Sequence, residues 1–409
     1  YLDSVWTVLI LRGFVLLTIL YLIAPYAAQF FEVPEAESII RIIGLSLLFR
    51  SLTNIGITYF QKELEFKKEF IYQFLGTLLD FTVSIIAVFI LKNVWALVLG
   101  LLAGDMTRCF VSYMIHPYRP HLTKHFGKAK ELFQFGKWIM GSSILIFLIT
   151  QGDDIFVGKL LGTVSLGFYQ MAYRISNMPA TEITHIVSQV TYPAYAKLQD
   201  NIAKLREAYL LALKITAFLS FPIAGLIFAI APDFTLLFMG EKWMPMVPIM
   251  QILVFAGLIR SIAATSGPIF QAVKKPKIDS QWQIVRFAVI IILIYPFIIR
   301  WRLAGASWVV FLSIFISNIG FSFNTIKITR CSLIEFSKPL VFPLLNGSIM
   351  ILFIFLLKIY VNIADIISFI LVSGGGMAIY LLMSCFCEKY LNYGLYAFIG
   401  RYRHFIKRG

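Results

Sequence analysis

The sequence predicts an all-α, polytopic membrane protein, and three observations carry that prediction. Only 14% of the 409 residues are charged and 59% are hydrophobic, with a mean hydropathy of +0.82; soluble domains carry about 25% charge. The apolar residues come in runs of about twenty, the length that crosses a bilayer as a helix. The basic residues crowd into alternate connections between those runs.

Twelve spans follow in order. The first, about 4–30, has Ala24-Pro25 closing it and the acidic connection FFEVPEAE after it. The second, about 38–60, contains Arg50 and runs into the basic turn KELEFKK. Spans at about 70–91, 94–116, 134–158 and 166–192 come next, then one at about 208–231 that closes on Ala231-Pro232. The eighth, about 246–272, contains Arg260 and runs into the basic turn AVKKPK. The last four lie at about 280–299, 304–326, 338–357 and 366–387. Some runs are long enough to continue into the cytoplasm as amphipathic ends.

The loop charges set the orientation. One set of connections holds Lys62, Lys67 and Lys68, then Arg119, Lys124, Lys128, Lys130 and Lys137, then Lys197, Lys204 and Arg206. Lys274, Lys275, Lys277, Lys327, Arg330 and Lys338 continue it, and the C-terminal tail adds Lys389, Arg401, Arg403, Lys407 and Arg408. The opposite set holds only Lys92, Lys159, Lys242, Arg300, Arg302 and Lys358. A bias of 22 to 6 assigns the first set, and the C-terminus, to the cytoplasm. Most of the +15 net charge therefore reflects topology and contact with anionic lipid. Nucleic-acid binding is not expected, because no separate basic domain exists.

Two stretches repeat. LLFRSLTNIGITYFQ (Leu47 to Gln61) and GLIRSIAATSGPIFQ (Gly257 to Gln271) share Arg-Ser and, ten positions on, Phe-Gln. Their offset is 210 residues, and each lies on a span running outside to inside. Two copies in one orientation are expected to be related by an axis along the membrane normal, as in parallel-repeat transporters. The second copy has two spans ahead of its Ala-Pro helix that the first lacks. Two helices are thus expected upstream of Tyr1, which is not a methionine.

Charge at membrane depth is costly, about 2.5–3.5 kcal/mol for an arginine, lysine or aspartate at mid-helix. The basic residues so placed are Arg12, Arg41, Arg50, Arg108, Arg174, Lys214, Arg260 and Arg286. The acids are Asp80, Asp105, Asp153, Asp154 and Glu182, with His185 nearby. Asp105 and Arg108 lie three apart on one helix face and neutralise each other. Arg41 snorkels at the outer interface; Lys214 and Arg286 lie within two turns of a cytoplasmic end. Arg50 and Arg260 sit about ten residues, or ~15 Å, from the cytoplasmic turn, and neither has an acid within four residues. Together they read as the lining of one wet, cationic cavity suited to an anionic substrate with a bulky polar part, since guanidinium grips phosphate bidentately.

Other features carry less. The four cysteines and five histidines have no ligand spacing, so no metal or cofactor is expected. No catalytic Ser/His/Asp or Cys/His set is legible. SGGGMA (Ser373 to Ala378) lies within a span and reads as close helix packing.

QGDDIFVGKLLGTVSLGFYQMAYRISNMP (Gln151 to Pro179) resembles the polysaccharide-transporter branch of the multidrug/oligosaccharidyl-lipid/polysaccharide (MOP) flippase superfamily. The matching positions are Asp153, Gly158, Lys159, Gly162, Gly167, Tyr169, Tyr173, Arg174 and Pro179. TYPAYAKLQD, GEKWMPMVPIMQIL and FQKELEFKK extend the likeness, which covers essentially the whole chain and feels nearest to lipopolysaccharide and colanic-acid exporters, relatives of Wzx-type O-antigen flippases. The resemblance implies two helical lobes plus two extra C-terminal helices. The divisions are 1–133 (N-lobe), 134–330 (C-lobe) and 331–409 (extra helices and basic tail).

It further implies a non-enzymatic flippase of the bacterial inner membrane. Such a protein moves undecaprenyl-pyrophosphate-linked oligosaccharide to the periplasmic leaflet by alternating access, with polymerase and chain-length machinery as partners. Arg50, Arg260, Arg174 and Arg12 are then the substrate contacts, and Asp153, Asp154 and Asp80 the coupling or gating acids. The alternatives are a cation-coupled multidrug exporter, for which an acid-dominated cavity is expected, and a membrane polysaccharide polymerase or ligase, for which a large outer loop is expected.

Overall fold

In the computed structural model, residues 2–63, 65–123, 127–275, 277–361, 363 and 365–391 are described, the side chains of 61, 127–142, 145 and 391 excepted. Lys124 and the basic tail with Arg401, Arg403, Lys407 and Arg408 therefore lie outside the described residues, as do the side chains of Lys128, Lys130 and Lys137. Among the described residues the secondary structure is helical, with no strand. The helices fall into two units, Tyr1–Ile146 and Phe147–Gly409.

Unit one is built from α1 (Leu2–Phe31), α2 (Ala36–Leu52), the single turn α3 (Thr58–Lys62), α4 (Phe66–Leu91) and α5 (Trp95–Ile115). The helix stops come from local chemistry. Asn54 accepts the Gly56 amide where α2 ends, and Lys92 closes α4 in the left-handed region (φ 52°). Asn93 then accepts the Trp95 amide as α5 begins.

Small residues let the helices of this unit approach closely. A Cβ on Gly13 of α1 would come within 2.5 Å of Ser51 in α2, and one on Gly100 of α5 within 2.7 Å of the Asp80 carbonyl in α4. The segment after α5 is tied back to the start of α1: Tyr118 donates to Asp3 at 2.6 Å, and so does the His121 amide at 2.8 Å.

α6 (Gly127–Leu161) spans the division between the units. Unit two continues with α7 (Thr163–Leu198), α8 (Ile202–Phe234), α9 (Val247–Ala263), α10 (Gly267–Ala272), α11 (Lys277–Thr329), α12 (Leu333–Tyr360) and α13 (Ile366–Leu391). Its core joins α7, α9 and α11 through Tyr169, Ile249, Leu253, Ile294 and Val309. A second cluster holds α12 and α13 against α8 through Ile230, Met350, Ile354 and Tyr380. Caps again mark the starts: Asn201 accepts the Lys204 amide, and Ser332 with Glu335 forms a capping box.

All twelve spans correspond to helices. Among the described residues, eight helices are long and apolar enough to cross a membrane by length and composition alone. Spans nine and ten share α11, a 53-residue run broken at Arg302 (φ 50°, ψ −129°). The two halves fold back on each other: Ser317 donates to the Trp282 carbonyl at 3.2 Å, and Gly320 lies against the Trp282 ring. Two expectations change. The Ala-Pro pairs do not close their helices; α1 runs on to Phe31 and α8 to Phe234. Each pair instead buries its alanine completely, and a proline inside a helix costs one backbone bond that neighbouring helices can tolerate. Of the three glycines in SGGGMA, Gly376 packs tightly, against Ile354, whereas Gly374 faces open space.

The repeat is visible in the backbone. Arg50 and Arg260 each lie in the last turn of a 17-residue helix, and each helix is followed by a break and a short helical turn. Ser51 donates to the Leu47 carbonyl and Ser261 to the Gly257 carbonyl, four residues back in both. Phe60 and Phe270 are both buried. Their carbonyls accept from the amides of Glu65 (2.8 Å) and Lys275 (2.7 Å), again five residues on and 210 apart.

A Cβ on Gly305 would come within 2.0 Å of the Phe297 carbonyl, just past the α11 reversal, whereas one on Gly374 meets nothing. Gly305→Ala is therefore expected to destabilise unit two by about 1–3 kcal/mol through overpacking, with Gly374→Ala neutral. Thermal unfolding of the two purified variants in one detergent checks this; equal midpoints would contradict the packing.

Candidate functional site

Asp105 is the polar centre of unit one. It lies on α5, 1% exposed, where three donors reach it. Arg50 on α2 donates through Nε at 2.8 Å, Arg108 through a terminal nitrogen at 3.1 Å, and Ser46 through its hydroxyl. Arg108 also reaches Thr77 on α4 at 3.1 Å, so the network joins three helices. The Asp105–Arg108 pair forms as its spacing predicts. Arg50, however, does have a carboxylate partner, 55 residues away in sequence. Two guanidiniums share one carboxylate, which leaves one positive charge in excess, and the Arg50 side chain remains 56% exposed.

Arg260 in unit two has the same helix position but different partners. It donates to the Thr181 hydroxyl at 2.7 Å and to the Asn177 carbonyl at 3.4 Å, both on α7. It makes no ion pair among the described residues. It opens onto a cavity of about 280 Å³ between α7, α9, α10 and both halves of α11. Arg286, Asp279, Gln283, Thr184 and Asn318 line the same space. The Arg286 Nε is buried and has no hydrogen-bond partner, and its charged neighbours include Arg260 and Asp153. The arrangement can neutralise and hold a compact polyanion: two guanidiniums face one polar space, with amides and hydroxyls around them and Asp279 as the lining carboxylate.

Asp153 is buried on α6 and accepts the Tyr169 hydroxyl at 2.5 Å, while the neighbouring Asp154 takes the Gln170 amide at 2.9 Å. Arg174 is exposed on α7. In unit one Arg12 is exposed on α1, one residue before the Gly13–Ser51 crossing that also carries Arg50. Asp80 is half-buried in the α4–α5 seam, with Ser84 at 3.4 Å. Within unit two, then, the structure brings Arg260 and Arg286 to one cavity, while Asp153 is held by Tyr169 outside its lining. Arg286 is near the cytoplasmic end of its span in the sequence, a position that fits snorkelling as well as a cavity lining; only its packing assigns it to the cavity.

Residues 1–248 match the family described as polysaccharide biosynthesis protein. Relatives include the teichuronic acid biosynthesis protein TuaB of Bacillus subtilis, 25% identical over 283 residues (69% of this chain, 59% of that protein). The lipopolysaccharide biosynthesis protein WzxC of Escherichia coli is 26% identical over 296 residues (72% and 60%). The matched region thus spans 59–60% of the length of these two relatives. Among solved structures, the lipid II flippase MurJ in an inward closed conformation superposes with a TM-score of 0.74 at 18% identity, covering 96% of this chain and 84% of that one. An inward-facing multidrug-resistance MATE transporter of the MOP superfamily gives 0.59 at 16% identity, covering 80% and 81%. The chain belongs to the polysaccharide biosynthesis protein family, and its all-helical fold is the one seen in the MurJ and MATE structures.

Proposed function

We propose that this protein is a flippase that carries undecaprenyl-pyrophosphate-linked oligosaccharide from the cytoplasmic to the periplasmic leaflet of the bacterial inner membrane. The observation that carries the reading is the cavity shared by Arg260 and Arg286, with one arginine lacking an ion pair among the described residues and the other an orphaned Nε. Burying such charge in a bilayer protein is expensive, and a bound pyrophosphate offsets that cost through charge-assisted, two-point hydrogen bonds. At about 280 Å³ the cavity is smaller than the ~300–1,000 Å³ of sites that enclose drug-sized ligands. It suits the pyrophosphate end of the substrate, with the glycan outside it.

Arg50, still half-exposed beside Asp105 in unit one, is a second candidate contact, and Arg12 in unit one and Arg174 in unit two are further ones. Alternating access by two rocking lobes, 1–133 and 134–330, exposes the site first to one leaflet and then to the other. Asp153, Asp154 and Asp80 are the acids available for coupling or gating. No covalent step is required. Polymerase and chain-length machinery are the partners that use the product. A cation-coupled drug exporter fits less well, because arginines outnumber carboxylates around the cavity.

Two predictions separate binding from architecture. Arg260→Ala and Arg50→Ala are each expected to reduce surface polysaccharide and accumulate lipid-linked precursor in a flippase-null strain, at matched membrane levels. Lys replacements are expected to be milder but not neutral, since lysine keeps charge and loses the planar fork. Wild-type export by both alanine variants would remove the cationic-cavity mechanism. Asp105→Asn, in contrast, strands two guanidiniums in unit one. It is expected to lower thermal stability by about 3 kcal/mol or more, whereas Arg260→Ala leaves no carboxylate unpaired and costs far less. Unfolding midpoints in detergent that come out in the reverse order would refute this division.

A further inference from the structure

Two grooves meet on α8 in unit two. The first, about 750 Å³, lies between the start of α8 and the start of α12 and carries Lys204, Lys214 and Lys338 with Glu207 and Glu335. Glu335 is already engaged: it accepts the Ser332 amide at 2.7 Å and lies 3.8 Å from Arg206. Lys204 and Lys338 are exposed, and neither makes an ion pair among the described residues. The second groove, about 320 Å³, lies between α7 and α8 and is walled mostly by Ile186, Val187, Val190, Leu211 and Ile215. Ala208 and Leu211 wall both grooves, so the basic mouth continues into an apolar trough. Neither groove shares a residue with the Arg260 cavity.

The trough has three polar residues, of which Thr191 donates to the Val187 carbonyl. Tyr195 and Thr216 belong to its wall, both almost fully buried, and neither side-chain hydroxyl has a hydrogen-bond partner. Such orphaned hydroxyls are uncommon in an apolar setting and call for an acceptor. A hydrocarbon chain alone brings none; the ester carbonyls of a diacylglycerol backbone do. The lysines in turn match a phosphate at headgroup depth, where basic pockets between membrane helices hold anionic lipid heads.

We propose that the joined groove across α8 binds an anionic glycerophospholipid, with its phosphate on Lys204 and Lys338, its ester region beside Tyr195, and an acyl chain running along the α7–α8 trough past Thr216, about 18 Å along α8 from Lys204. A prenyl phosphate satisfies the lysines but brings no ester carbonyl to Tyr195, so the site is distinct in chemistry from the proposed transport substrate.

The test is native mass spectrometry of the purified protein with phosphatidylglycerol, phosphatidylcholine or undecaprenyl phosphate added at equal concentration. Phosphatidylglycerol is expected to be retained about tenfold better than phosphatidylcholine, and K204A/K338A to lose that preference. Ala194→Trp, at the exposed edge of the trough, is expected to weaken retention of both phospholipids. Both variants change exposed positions, and unfolding midpoints without added lipid report whether each keeps its fold. Full retention of phosphatidylglycerol by folded K204A/K338A would overturn the proposal. So would its displacement by equimolar undecaprenyl phosphate, which assigns the groove to the prenyl lipid, or by millimolar inorganic phosphate, which reduces it to an anion site.

Discussion

Hydrocarbon solvates neither a charge nor an unpaired backbone group, and the rest of this structure depends on that constraint. It forces the crossing segments to be helices, because a helix satisfies its backbone internally. It also forces deep ionic side chains to find partners within the protein. Asp105 shows the outcome in unit one: two arginines and a serine from two helices converge on a single carboxylate. Asp153 shows it in unit two, where a buried tyrosine serves as the donor.

Against that background the two repeat-related arginines are informative because they differ. Their backbones match down to the serine bond one position on and the carbonyl bond beyond the next turn. Their side chains do not: Arg50 neutralises a carboxylate, whereas Arg260 has a hydroxyl and a carbonyl. A duplicated scaffold has thus kept its helix register while the charge balance of its halves diverged. The half with the less compensated arginine is also the half with the polar cavity.

Close packing supports these charged centres. The α4–α5 seam is narrow because glycines 76, 100 and 104 face Arg108, Ser84 and Asp80, and that closeness brings Arg108 within reach of Thr77. In unit two Lys358 near the end of α12 bonds Asp233 and the Ala229 carbonyl on α8, which fixes the C-terminal pair at the ends opposite the basic groove. Polar pins and small-residue seams do here what the hydrophobic effect does in water, since lipid offers helices no apolar reason to associate.

The sequence by itself determined the helical class, a helical segment at each of the twelve apolar runs, the break between the ninth and tenth, and the register of the repeat. Each of these depends on hydropathy, helix-stop residues and spacing along one chain, which are local quantities. The Asp105–Arg108 pair was legible for the same reason, being three residues apart on one helix. Tertiary structure alone decided that Arg50 also reaches Asp105, that Arg286 joins Arg260 at one cavity, and that the helices run on through Pro25 and Pro232. Those outcomes depend on how each helix is rotated about its axis and where it crosses its neighbours. A run of twenty apolar residues leaves that rotation open, and only the packing of specific glycines, alanines and ion pairs selects it.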